Sequence, residues 1–270
     1  MVELTSKEMK YLDRTSSKGN QFKWKQSGIW YKADYAGYEG LAEYMVSHLL
    51  QLSDMDDDEY ILYNPVQIKY KNREFCGACS NDFIENDWQI ITLERLFLQI
   101  HGMSFYESIW KIRDVEERLR YMVDQVEEIT SIKDFGKYIS KLMTIDAVFL
   151  NEDRHLHNVA VLMNGQGEYK LCPIFDNGAC LLSDTTIDYP LDIDVFNLLG
   201  EAHSKTISRD FDEQLDVAEK LYGENLKFSF TKKDVKKLLE KQELYSKEIC
   251  DRVETIIYQS MRKYPYLFKV

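Results

Sequence analysis

The chain is short of cysteine and histidine, has no long apolar run and carries no surplus of positive charge; each shortage removes a class of protein. Its five cysteines are odd in number and scattered, which argues against a disulfide framework and fits reduced thiols. Cys76-Gly77-Ala78-Cys79 is a lone CxxC without a second Cys/His pair nearby, so ordinary burial is expected there rather than structural zinc. No apolar stretch approaches the roughly 20 residues that span a bilayer. The opening MVELTSKEMKYLDR is charged and lacks the apolar core of a signal peptide, so a cytoplasmic location without a membrane partner is expected. A formal net charge of −12 argues against direct nucleic-acid binding, because phosphate contacts need a basic patch. Basic residues do gather over 223–270, eleven against seven acidic, and Lys232, Lys233, Lys236 and Lys237 there fit a solvated helix face. Internal repeats and low-complexity linkers are lacking too. What remains is a chain of 270 residues, 44% of them hydrophobic, enough for one large domain or two lobes.

The pattern changes along the chain. Residues 1–14 read as helical or loosely attached, and 15–21 as a loop of small residues. Two strands follow, 22–25 and 29–33, joined at Gln26-Ser27-Gly28. Apolar residues at 41, 45, 46, 49 and 52 predict an amphipathic helix over 38–52. An acidic loop at 54–59 leads to a further hairpin, 60–70 and 73–78, around Lys71-Asn72. From Trp88 the pattern is mainly helical to about Met122, and again over 135–150. Two strand-like segments, 159–163 and 169–175, flank the turn signal Asn164-Gly165-Gln166-Gly167. Residues 181–197 are irregular, and helical periodicity returns over 211–222, 232–240 and 246–263. A strand-rich first third and a helix-rich remainder predict an α+β protein of two lobes, 1–88 and 89–270.

The most informative stretch is Asn151-Glu152-Asp153-Arg154-His155-Leu156-His157-Asn158, answered by Ile174-Phe175-Asp176-Asn177-Gly178. A hairpin between the two would bring Asp153, Asn158 and Asp176 to one edge of a sheet. An aspartate followed by an asparagine five residues on, then a second aspartate beyond a hairpin, suits phosphoryl transfer. One carboxylate receives the proton of the attacking hydroxyl, while the amide and the other carboxylate hold Mg²⁺ on the phosphates of ATP. That chemistry also asks the first lobe for a phosphate-covering loop, a strand lysine and a helix glutamate. All three have candidates in the required order: the loop Ser17-Lys18-Gly19-Asn20-Gln21-Phe22-Lys23, then Lys32, then Glu39 or, one turn later, Glu43.

Two competing readings can be weighed from the residues. Asp153-x-His155-x-His157 could be a metallohydrolase ligand set, but His48, His101 and His203 lack metal-site spacing, and imidazole ligands leave Asn158 unexplained. His155 could order the loop or sit near the transferred phosphate, and His157 suits a structural role. Asp134-Phe135-Gly136 spells the familiar kinase metal tripeptide, yet it precedes Asp153, whereas a kinase metal aspartate follows the catalytic loop. Asp134 is therefore expected to be an N-terminal helix cap, and Asp176 to be the metal aspartate.

On these residues the chain resembles the kinase domain of the HipA-like serine/threonine kinases, including the shorter CtkA-type bacterial kinases. The resemblance is carried by Gly19-Asn20-Gln21-Phe22-Lys23, Trp30-Tyr31-Lys32, the Asn151 to Asn158 string and Phe175-Asp176-Asn177-Gly178, within roughly residues 15–220. The Asp-Arg-His-x-x-Asn string is also similar to the catalytic loop of phosphoinositide kinases. The resemblance implies a bilobal protein-kinase-like fold, with a small β-rich N-lobe and a larger helical C-lobe. It implies Asp153 as base, Asn158 and Asp176 as Mg²⁺ ligands, and Lys32 on the phosphates of ATP. It further implies a Ser/Thr hydroxyl on a protein substrate, and Ser16 or Ser17 as autophosphorylation sites. An antitoxin-like or regulatory protein partner is implied for the group. Full HipA toxins carry an extra N-terminal region for which this chain has little room, so their association with a DNA-binding antitoxin is not assumed here. Alternatives are a lipid or small-molecule kinase and a nucleotide-binding pseudokinase. The first would need a basic headgroup site in 182–208, where Lys205 is the only basic residue; the second usually loses one of the Lys, Asp or Asn retained here.

Overall fold

The computed structural model describes residues 1–9 and 21–269. In chain order its elements begin with β1 (Val2–Leu4), β2 (Lys23–Gln26), β3 (Ile29–Ala33), α1 (Glu39–Leu50), β4 (Asn64–Tyr70) and β5 (Arg73–Asn81). There follow β6 (Trp88–Thr92), α2 (Leu93–His101), α3 (Phe105–Trp110), α4 (Val115–Thr130), α5 (Phe135–Phe149), β7 (Ala160–Asn164) and β8 (Tyr169–Leu171). The chain closes with α6 (Val195–Leu198), α7 (Phe211–Tyr222), α8 (Lys232–Lys241) and α9 (Lys247–Lys263). Two compact units result, one of Met1–Asp82, Asp176–Ala202 and Phe228–Val270, the other of Phe83–Phe175 and His203–Lys227. Where the sequence suggests a single cut near residue 88, the chain passes between units at 82/83 and returns twice.

The first unit is built on a five-stranded sheet of order β1-β4-β5-β3-β2. Residues 1–14 were expected to be helical or loose; instead β1 lies parallel to β4, with Val2 opposite Ile68 and Leu4 opposite Tyr70. Pairing with a strand more than 60 residues away is a tertiary event that local propensity cannot announce. One face of the sheet holds Leu4, Trp24, Tyr31, Ile68 and Tyr70 in a common cluster. Helix α1 is apolar almost all round, and ten of its twelve residues are buried, as a core helix requires. It reaches the sheet through two glycines: a Cβ on Gly40 would stand 2.5 Å from the Gly77 carbonyl carbon, and one on Gly77 would stand 2.1 Å from the Lys32 carbonyl oxygen. Only bare backbone permits so close an approach. The helix turn after Gly40 carries Glu43.

In the second unit, α5 is the buried helix, with thirteen of fifteen residues inside. Gly136 near its start abuts Tyr222 of α7, where a Cβ would meet the ring at 2.3 Å. The start of the mainly helical region at Trp88 needs correction. Trp88–Thr92 is strand β6, antiparallel to β7 with Trp88 opposite Asn164 and Thr92 opposite Ala160. Trp-Gln-Ile-Ile-Thr is rich in β-branched and aromatic residues, but its partner residues lie 68 to 76 positions on. The expected hairpin is thus the far side of a three-stranded sheet, β6-β7-β8. Its last strand is shorter than expected and ends at Leu171 rather than 175. Among the described residues no helix is long and apolar enough to cross a membrane.

Candidate active site

The first unit holds a buried cluster around Lys32. The lysine lies on β3, opposite Lys23 of β2 and Ala78 of β5. Its Nζ donates to Glu43 Oε1 at 2.6 Å and to Asp176 Oδ1 at 2.8 Å. It also stands 4.9 Å from the centre of the Tyr63 ring, a cation–π distance. Lys32 is 9% exposed and Glu43 1%. Burial alone would push the Lys32 ammonium down, but the Asp176 and Glu43 carboxylates, with Tyr63 beside them, overcome it and hold its pKa well above the ordinary lysine value. The ammonium therefore stays charged, a fixed cation in a dry setting.

Glu43 uses its second oxygen too, accepting the Asn177 backbone N–H at 2.9 Å. Asp176 takes a second lysine, Lys23, at 3.8 Å. Its backbone φ is +63°, a left-handed conformation that aspartate tolerates better than most residues. Such a conformation beside Asn177-Gly178 is the kind of local strain that functional sites keep. The open choice between Glu39 and Glu43 is decided by geometry. Glu39 turns away from Lys32 and accepts backbone N–H groups of Tyr35, Ala36 and Gly37, the closest at 2.7 Å. One helical turn separates the two glutamates, and only Glu43 lies over the lysine.

The second unit holds the loop after α5. Leu150 ends that helix in the left-handed region, with φ +56°. The Asp153 N–H then donates to Asn151 Oδ1 at 3.1 Å, and the Asp153 carbonyl accepts from the His155 N–H at 2.9 Å and from Asn158 Nδ2 at 2.8 Å. Asn158 Nδ2 also lies 3.3 Å from Asp153 Oδ2. The asparagine thus braces the loop through its nitrogen. A cation would use its side-chain oxygen. His155 Nε2 and Lys205 Nζ come to Asp153 Oδ1 at 3.7 and 3.6 Å. His157 is exposed, and its ring meets that of His155 edge-on at 5.5 Å.

Arg154 is the loop's internal strut, a role that the sequence reading passed over. Its Nε donates to Asp146 of α5 at 3.1 Å, with both side chains essentially buried. Its Nη1 donates to the Phe175 carbonyl at 2.7 Å, tying that residue to the loop after α5. Burial pushes the Asp146 carboxyl up to about 6 even with Arg154 against it. The only sequence signal for this strut was a charged residue inside an otherwise functional string; its partner on α5 looked like any helix aspartate.

Other expectations resolve as follows. Ser16, Ser17, Gly19 and Asn20 lie outside the described residues. Gln21 is half-buried outside any strand, and Lys23 opens β2. Asp134 does precede α5, but its side chain makes no capping bond; it is exposed and pairs with Lys137 at 2.8 Å. Its φ of −105° and ψ of 18° depart from the extended conformation that lets a cap side chain reach back to the N–H groups. Among the described residues, no group of three or more His, Cys, Asp or Glu side chains that could hold a metal ion is found. Cys76 and Cys79 are free and half-buried.

Asp176 in the first unit and Asn158 in the second each carry a side-chain oxygen, the donor type that Mg²⁺ takes in preference to thiolate or imidazole.

No protein-family model matches the chain, and no curated protein matches it in sequence. Comparison of folds finds it similar to the Helicobacter pylori proinflammatory kinase CtkA, with a TM-score of 0.65 and 16% identity over 97% of this chain and 95% of that one. A weaker similarity, TM-score 0.46 at 11% identity, links it to a chain of the Shewanella oneidensis MR-1 toxin–antitoxin complex of HipA, HipB and operator DNA, 62% of which it spans. The likeness to CtkA shows the fold: α+β and kinase-like.

Proposed function

We propose that the chain is a HipA-like kinase that transfers the γ-phosphoryl group of ATP, with Mg²⁺, to a Ser or Thr hydroxyl of a protein in the cytoplasm. The observation that carries this reading is the buried lysine held between a helix glutamate and the aspartate of Phe-Asp-Asn-Gly, on a fold similar to that of a kinase. A cation so fixed suits phosphate oxygens, since the protein has already met the cost of its desolvation and orientation. Asp153 is the group that accepts the hydroxyl proton. Asn158 and Asp176 would supply oxygens for Mg²⁺, whose charge would offset that of the phosphates. His155 would order the loop beside Asp153. Gln21 and Lys23, with the small-residue loop before them, would cover the phosphates. The hydroxyls of that loop are the sites proposed for autophosphorylation.

The test is incubation with labelled ATP and Mg²⁺, with and without generic protein acceptors, followed by mass spectrometry of the chain itself. Label on the chain or an acceptor in the wild type, lost in Lys32→Ala without loss of fold, supports the reading. ATP binding without transfer points to a pseudokinase, and absence of both binding and transfer sinks the proposal.

A further inference from the structure

We infer that Lys205 is a second phosphate-binding cation of the catalytic centre, contacting the γ-phosphoryl group as it passes to the acceptor beside Asp153. The inference rests on the kinase reading and adds to it a residue that no sequence motif announces. Residues 182–208 hold five acidic side chains and one basic one, and that single basic residue comes to 3.6 Å from Asp153 Oδ1. The placement is built. The His203 N–H donates to Glu152 Oε1 at 3.1 Å, and Thr206 Oγ1 donates to the Arg154 carbonyl at 2.6 Å. These two bonds engage the residues on either side of Asp153 and bracket Lys205 opposite it.

The rest of the segment is fastened from behind. The Ser204 hydroxyl lies within hydrogen-bond distance of the Ser208 carbonyl, at 2.8 Å, and of the Gln214 side chain of α7, while Arg118 of α4 donates to the Ile207 carbonyl. Ser204, Thr206, Ile207 and Ser208 are buried, whereas the Lys205 side chain is 41% exposed. The fold thus fixes the backbone of Lys205 and leaves its ammonium in reach of solvent and ligand. With Lys205 41% exposed, this ion pair is screened and contributes too little to stability to account for so many anchoring bonds.

Its chemistry fits the reaction. The acceptor's O–H bond breaks, and the proton goes to the Asp153 carboxylate. The acceptor oxygen bonds to the γ-phosphorus as the bond from that phosphorus to the β-bridging oxygen breaks, its electron pair leaving on ADP. Lys205 transfers nothing. Its ammonium donates to the equatorial oxygens of the phosphoryl group in flight, where a fixed cation counts for most. The long stem lets the ammonium swing from Asp153 to those oxygens without backbone movement.

Steady-state phosphorylation of a generic protein acceptor tests this in Lys205→Met and Lys205→Arg, alongside ADP affinity and melting temperature. Lys205→Met should lower kcat by about 10²-fold, the usual loss for a missing charge-stabilising donor, with ADP affinity and melting temperature as in the wild type. Lys205→Arg should keep more of the rate than Lys205→Met. A kcat within twofold of the wild type in Lys205→Met overturns the inference. So does a joint fall of kcat, ADP affinity and melting temperature in both variants, which marks a structural role. If the wild type itself transfers no phosphate, the kinase reading fails first and Lys205 loses its role with it.

Discussion

Replacing Glu43 with glutamine removes one of the two carboxylates that hold the buried Lys32 ammonium, at 2.6 Å against 2.8 Å for Asp176. At that separation two unit charges attract by roughly 6 kcal/mol for an effective dielectric constant of about 20. Desolvation opposes this with several kcal/mol per ion, so the gross attraction is not the net effect. Stripping one partner from a buried pair typically costs about 3–5 kcal/mol, because the other charge stays buried. Glu43→Gln keeps an acceptor in place and should lie near about 3 kcal/mol. Glu43→Ala also strands the Asn177 N–H that Glu43 Oε2 accepts at 2.9 Å, and should reach the upper end of that range. Hydrogen exchange of the α1 amides reads the effect inside the first unit, and ATP affinity reads its functional side. The sign with pH is fixed by the lysine, whose pKa in the fold is held above its ordinary value. Its contribution is full below the unfolded lysine pKa of about 10.4 and fades only as pH rises through the higher folded value. The difference between variant and wild type should therefore stay constant from about pH 6 to 9. Glu39→Gln is the control, since Glu39 bonds only the local backbone of residues 35–37 among the contacts described above. If Glu39→Gln loses ATP affinity while Glu43→Gln matches the wild type, the assignment is wrong.

Asp176→Ala should abolish phosphoryl transfer and Asp153→Ala should slow it by about 10²–10⁴, while exposed Asp134→Ala should stay within about 0.5 kcal/mol of wild-type stability and active. An inactive but folded Asp134→Ala beside an active Asp176→Ala would falsify this map. Arg154→Met leaves Asp146 buried without its cation and should cost about 3–5 kcal/mol, most of it recovered in Arg154→Met/Asp146→Leu; a double variant as unstable as the two single losses added together would contradict the pairing. Asp34, pushed by burial and the nearby Glu39 charge from 3.8 to about 7, accepts the Gly40 N–H and the Tyr245 hydroxyl. A carboxyl whose pKa is raised in the fold stabilises fully below its unfolded value and loses that contribution as pH climbs through about 7. Asp34→Asn should therefore gain stability on the wild type between pH 5 and 8, and parallel pH curves for the two proteins would refute this.

Sequence alone determined the chemistry-bearing strings and the elements that display their own period. Ile29–Ala33 and Phe211–Tyr222 are found where alternation and helical spacing put them, because those signals arise from neighbours along the chain. The order of Lys32, the helix glutamates, Asp153, Asn158 and Asp176 could be read in one pass for the same reason. Tertiary structure decided whatever depends on a distant partner. Strand β1 exists because β4 is there to receive it, and β6 because β7 is. Glu43 rather than Glu39 meets Lys32 because Gly40 and Gly77 let α1 settle on the sheet at one rotation. Arg154 became a strut, and Lys205 a neighbour of Asp153, through bonds that span 8 residues of sequence in one case and 52 in the other. Asp134 had the sequence of a cap and lacked the backbone angles. A side chain's type is written in the sequence, but its partner is chosen by packing, where burial makes an unmatched charge cost several kcal/mol and so selects which charges meet.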